Sequence, residues 1–207
     1  MTQKSEIFET NYNEYLARIS ETNFTSVKDN LGTVVNDGQM HILFFNRNYT
    51  ISKDGIMNDT GKRPDYATCI ILSKYILLCP DMPHSNIEWT AFRDFNKISN
   101  FTNTNYFASD TEKPIAQKFS GQPDVLAKAC IKSDGFSCEE KFSYDLVMQF
   151  NALPKISLLL LFNDKDEDFP AECSVLFQKQ AEDYLDPESL AMTSALLTKK
   201  LIDSVDL

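Results

Sequence analysis

The spacing of apolar residues divides this chain into segments before any chemistry is considered. Ile7, Phe8, Tyr12, Tyr15, Leu16 and Ile19 recur at intervals of three and four with charged residues between them, and predict an amphipathic helix. A second short helix is predicted over Thr25–Val34, and Asp37-Gly38 then marks a turn. Met40–Asn46 (MHILFFN) and Tyr49–Ser52 (YTIS) read as two strands joined by a short loop at Asn46–Asn48, with Asp54-Gly55 ending the pair. Pro64 suits the first turn of a helix, where its missing N–H is not needed. The helix it would open, Asp65–Cys79, is apolar on nearly every side, as in a helix buried centrally, and Pro80 and Pro83 stop it.

The second half alternates helix and strand signals. Glu88–Phe95 (EWTAFRDF) has an ambiguous period and reads as a short strand or turn, and helices are predicted around Thr104–Phe119 and Pro123–Lys132. After a turn at Asp134-Gly135, Tyr144–Phe150 alternates like a half-buried strand, whereas Ile156–Phe162 is continuously apolar, as in a strand covered on both faces. A turn at Leu153-Pro154 makes these two an antiparallel pair, and Cys173–Gln178 fits strand or helix. Asp186-Pro187-Glu188 opens a last helix, with an acid at the cap, proline at the first position and Leu190, Ser194, Leu197 and Leu201 as its inner stripe. Hairpins and helices in mixed order define an α+β class. The expectation is a single domain over 1–207, an antiparallel or mixed sheet with helices packed on it and a C-terminal helix.

Composition supports a packed core: 43% of the 207 residues are hydrophobic and 12% aromatic, too many for a disordered chain. The net charge of −10 narrows the partners. Residues from Ser133 onward carry six basic against fifteen acidic side chains, so that third would repel a nucleic-acid backbone. The adjacent basic pairs are Lys62-Arg63 and Lys199-Lys200, and two charges make no patch. No nucleic acid is expected; a small ligand or a protein partner is.

No stretch approaches the ~20 apolar residues of a membrane span, so no membrane partner is expected either. The first fifteen residues lack the basic end and apolar run of a signal peptide. Five cysteines, an odd number in a chain this long, do not suggest a disulfide framework. These features lead to the expectation of a cytoplasmic protein with reduced thiols. The sequons at Asn23, Asn48, Asn58 and Asn100 are then chance products of an Asn- and Thr-rich chain.

The search for reaction chemistry mostly excludes. Gly61-Lys62 lacks the upstream glycine of a phosphate-binding loop, where Ile56 stands, and Arg63 occupies the Ser/Thr position. Gly135–Glu139 (GFSCE) lacks the second glycine of a nucleophile elbow. Of two histidines, His41 falls inside a predicted strand, which leaves His84 as the candidate base. Cys79 and His84 form a lone mixed pair, and Cys130 and Cys138 are too widely spaced for zinc. The sharpest feature is LFNDKDEDFPAE, Leu161–Glu172. Asp164, Asp166 and Asp168 have the opening spacing of a calcium loop, but Phe169 replaces the required glycine and Val175 the closing glutamate. The segment is either a partial oxygen-rich site completed from elsewhere or the solvated end of a buried strand.

Several segments resemble one family, the domain of unknown function 3786. They are Leu43–Ser52, Ala67–Leu78, Trp89–Phe95 and above all Asp166–Leu190, with its acidic-Phe-Pro-Ala run followed by Leu176-Phe177 and Tyr184-Leu185. The resemblance implies a source among anaerobic bacteria or archaea. Some similar proteins add a cysteine-rich iron–sulfur module; this chain has no such motif, so that cofactor is not carried over and any other cofactor is left unknown. Similar proteins often have an acid where Gln178 stands. The binding candidates are therefore Asp164, Asp166 and Asp168, with Trp89 and Arg93 from the shared WTAFRDF segment. The leading expectation is a ligand- or partner-binding domain without catalysis of its own. The alternatives are a divalent-metal enzyme using the aspartate loop and an accessory protein of a metallocofactor system.

Overall fold

The structure, a computed structural model, describes residues 3–97, 107–138, 140 and 142–205. The sequon at Asn100, residues 104–106 of the helix expected from Thr104 and Glu139 of the GFSCE segment lie outside them. The fold is the expected α+β: among the described residues it has two antiparallel sheets and seven α-helices, the last of them the C-terminal helix.

The first sheet is a meander of β1 (Val34–Asn36), β2 (Gln39–Phe44), β3 (Arg47–Ser52) and β4 (Gly55–Asn58). Two-residue turns close its first two hairpins, and each has positive φ at both positions, as the right-handed twist of paired strands requires. Asp37-Gly38 makes the first, at +49° and +75°, with residues suited to it. The second is Phe45-Asn46, at +45° and +59°, one residue ahead of the loop expected at Asn46–Asn48. Phenylalanine resists positive φ, so this turn is held by contacts outside the hairpin.

The second sheet has the order β5-β9-β8-β7-β6, from β5 (Trp89–Ala91), β6 (Phe136–Ser137), β7 (Leu146–Leu153), β8 (Ile156–Asn163) and β9 (Glu172–Gln178). The apolar run Ile156–Phe162 is its central strand and is buried throughout. Leu153 pairs with Ile156, so the tight turn is Pro154-Lys155. The register slips at Ala152, which bulges out of the β7–β8 ladder. Its freed carbonyl accepts a bond from the Phe45 amide at 2.8 Å, tying the tip of the first sheet to the second.

Helices close around both sheets: α1 (Gln3–Ser20), α2 (Phe24–Leu31), α3 (Tyr66–Leu77), α4 (Lys113–Phe119), α5 (Pro123–Lys132), α6 (Ala181–Tyr184) and α7 (Pro187–Asp203). Gly32, at φ +66°, stops α2 before Val34, which instead starts β1. Helix α3 is the buried central helix, but its cap is Asp65, so Pro64 precedes the helix instead of occupying its first turn. A single turn of π-helix, Ala108–Glu112, leads into α4, with Lys113 N–H reaching Ala108 O. Pro114 has no amide with which to continue an ordinary ladder there. Asp186 caps α7 by accepting from Ser189 N at 2.8 Å, and Leu190, Ser194, Leu197 and Leu201 are buried. One continuous core joins both sheets and these helices. Among the described residues, no helix is long and apolar enough to cross a membrane.

Candidate functional site

In the aspartate loop, Asp164 and Asp166 each turn one carboxylate oxygen onto backbone amides. Asp166 Oδ1 accepts from the amides of Asp168 (2.8 Å) and Phe169 (2.7 Å), while Asp166 N–H donates to Phe169 O. Asp164 Oδ1 accepts from Gly121 N at 2.6 Å and from Lys165 N at 2.8 Å. Such local bonds are what short acidic side chains favour in turns. Among the described residues no three His, Cys, Asp or Glu side chains converge as a metal site would require.

Trp89 and Arg93 are not brought to this loop as one site. Trp89 pairs with Gln178 at the end of β9, whereas the loop precedes Glu172 at its start, about 20 Å of strand away. Arg93 stands largely exposed on the short turn Phe92–Asp94, 3.9 Å from Asp94. Gln178 shares a bond with Gln180 (3.3 Å) beside Trp89. His41 shares a 3.3 Å bond with Thr50 on β3, and His84 lies in an exposed stretch outside helix and strand. The five cysteines are free thiols, and burial pushes Cys69 and Cys130 up to about 12, far from a reactive thiolate.

A different region has the shape of a binding site. A cavity of about 580 Å³ lies between the β2–β3 turn, the start of α3 and the last turns of α5 and α7. Its aromatic wall is Phe44, Phe45 and Tyr49, with the Phe44 and Phe45 rings 4.9 Å apart. Leu196, Lys199, Lys200 and Asp203 recur at three- and four-residue spacing and so share one face of α7. Arg47 enters as the first residue of β3, and Lys132 as the last of α5. Four cations and two acids therefore line a cavity in a chain of charge −10. Lys199-Lys200 was a lone pair in the sequence, and the fold adds Lys132 and Arg47 to it.

Most of those charges already have partners. Asp65 accepts from Thr68 N (3.0 Å) and Thr68 Oγ1 (2.8 Å) as the α3 cap. Asp203 pairs with Lys199 at 2.7 Å, and Lys132 Nζ donates to Ser204 O at 2.9 Å. Arg47 and Lys200 remain: among the described residues neither has a carboxylate partner. Lys200 Nζ makes only a long 3.4 Å contact to Phe45 O and stands 5.1 Å from the centre of the Phe45 ring. Burial and then the Arg47 cation lower its pKa, with Asp134 opposing in part. The Phe45-Asn46 turn is part of this construction. Its Phe45 amide is bound to Ala152 O, Phe45 O faces Lys200, and Asn46 Nδ2 donates to Asp134 Oδ1 at 3.0 Å. Strained backbone held by its surroundings is a usual companion of binding sites.

Fold and cavity together define a two-sheet α+β domain with a cation-lined, aromatic-walled cleft beneath a strained hairpin. A family model described as Domain of unknown function (DUF3786) matches residues 23–200, and the chain belongs to that family. No curated protein and no solved structure matches it. The family segment contains the whole β2–β3 turn, Lys132, Lys199 and Lys200, whereas α1 precedes it.

Proposed function

We propose that this domain binds a small anionic ligand with a flat apolar portion in the cavity beneath the β2–β3 turn. One observation carries the reading: Arg47 and Lys200, two cations without carboxylate partners, share the cavity with the Phe44, Phe45 and Tyr49 wall. Like charges in a partly desolvated cleft repel unless an anion joins them, and pockets of this volume are of ligand size. The ring faces would take the apolar part and the guanidinium a carboxylate or phosphate. A ligand-binding role without a built-in reaction accords with the absence from the sequence of any complete nucleophile or phosphate-loop motif.

The test is thermal unfolding with a panel of aromatic carboxylates and phosphate esters, run beside a panel of divalent cations. An anion at a hundred times its dissociation constant stabilises by ~2.7 kcal/mol, and Arg47→Ala removes the gain. Anions that leave the melting temperature unchanged, or a gain that survives Arg47→Ala intact, overturn the reading. A cation response abolished by Asp166→Asn with Asp168→Asn would restore the metal-enzyme alternative.

A further inference from the structure

We propose that Lys200 is a reactive amine that forms a reversible Schiff base with a small aldehyde or ketone bearing an anionic group. The inference rests on the anion-binding reading of the same cavity and adds covalent chemistry to it. Three lysines line the cavity, and two are occupied, Lys199 by Asp203 and Lys132 by Ser204 O. Lys200 alone of the three has its nitrogen set against an aromatic ring without a strong acceptor. The charged groups around it are Arg47, Lys132 and Lys199 against Asp65, Asp134 and Asp203, and the last three are bonded to Thr68, Asn46 and Lys199 in turn. A half-buried lysine beside a second cation favours its neutral form, which is the nucleophile, and the downward direction of its pKa agrees.

The chemistry balances within the ligand and this side chain. The lone pair of neutral Nζ attacks the carbonyl carbon, and the C–N bond forms as the C=O π pair moves to oxygen. That oxygen takes up a proton to give a carbinolamine. Loss of water then leaves C=N, both former N–H hydrogens departing in the water. No oxidant or reductant is needed. Arg47 would hold the ligand's anionic group and so bring its carbonyl to Lys200.

The experiment uses 4-carboxybenzaldehyde as probe, trapping with borohydride, and peptide mass mapping of the full chain at pH 7. The expected result is labelling of Lys200 at least tenfold over Lys199, suppressed by excess 4-methylbenzoate. Arg47→Ala should slow it at least fivefold, while slow labelling by uncharged benzaldehyde stays unchanged. Melting with 4-methylbenzoate separates the two readings. A thermal gain with Lys200 labelled no more than Lys199 overturns the Schiff base and leaves anion binding standing. Neither gain nor selective labelling overturns both. Selective labelling equally fast with benzaldehyde and indifferent to Arg47→Ala overturns the assignment to anionic carbonyls. Lys199→Arg serves as a control for exposed-lysine reactivity, and loss of the Lys200 adduct in that variant also counts against the proposal.

Discussion

The Asp164–Asp168 loop and the cavity under the β2–β3 turn both gather charged side chains, and they use them in opposite ways. In the loop the acids are neighbours in sequence, and one oxygen each of Asp164 and Asp166 is taken by backbone amides, all but that of Gly121 within three residues. In the cavity the cations come from positions as far apart as Arg47 and Lys200; among the described residues only Lys199 has a carboxylate partner, and Lys132 is held by a neutral carbonyl. Groups close in sequence can satisfy one another before the fold exists. Groups assembled by the fold can be left unsatisfied, and that residue of unspent charge is available to a ligand.

The contrast can be broken first just beyond Lys132 and Ser133 of the cavity lining. Gly135 follows the α5 terminus, and a Cβ there would lie 2.6 Å from Phe150 Cε1 and 2.8 Å from Cys130 O. Gly135→Ala is expected to lower unfolding free energy by about 2–3 kcal/mol, measured by denaturant titration, because ring and backbone must both move. On the loop side, Asp166→Ala should cost about 1 kcal/mol for the two amide bonds it loses. Asp166→Asn, which keeps an accepting oxygen, should change stability by less than ~0.5 kcal/mol. Neither should alter the response to an anionic ligand; a loss of that response would dissolve the distinction drawn between the regions.

Smallest in size, and sharpest in meaning, is Lys200→Met. It keeps the apolar stem against Phe45 and deletes a charge that burial disfavours. Because the folded pKa lies below the unfolded one, the lysine's contribution to stability is present above the unfolded value and is lost as pH falls through the folded value. The variant should therefore be at least as stable as the parent at pH 7, and its stability should rise less with pH on the alkaline side. A clear loss of stability at pH 7 would mean that Lys200 is held for the fold rather than for a ligand.

Much of the architecture was legible. The three-and-four rhythm of Ile7–Ile19 marks one buried face, the proline after Asp186 a local cap, and the unbroken apolar run Ile156–Phe162 burial on both faces, and each became the element expected. The second hairpin turn was displaced because Phe45-Asn46 lacks the residues that announce such a turn. What fixes it is a bond to Ala152, more than a hundred residues on. The site was less legible than the fold. Asp164, Asp166 and Asp168 form a pattern visible within five residues, whereas Arg47, Lys132 and Lys200 share no local pattern. The adjacent pair Lys199-Lys200 was the available signal, and on one helix face it gave no hint of the cations that join it.

Strand β4 ends its sheet, yet its Ile56 amide is not open to solvent: the Tyr12 hydroxyl of α1 accepts it at 3.0 Å, and the same oxygen would lie 3.2 Å from a Cβ at Gly55. Tyr12 of α1 thus blocks one amide, and Lys62 O, accepting from Asn58 N at 2.8 Å, another, on a margin that could otherwise template a neighbouring chain. Since that helix precedes the family segment, a protein trimmed to residues 23–200 would lose Asp203 and Ser204 from the cavity and would leave the Ile56 amide of an edge strand open to pairing with its own kind.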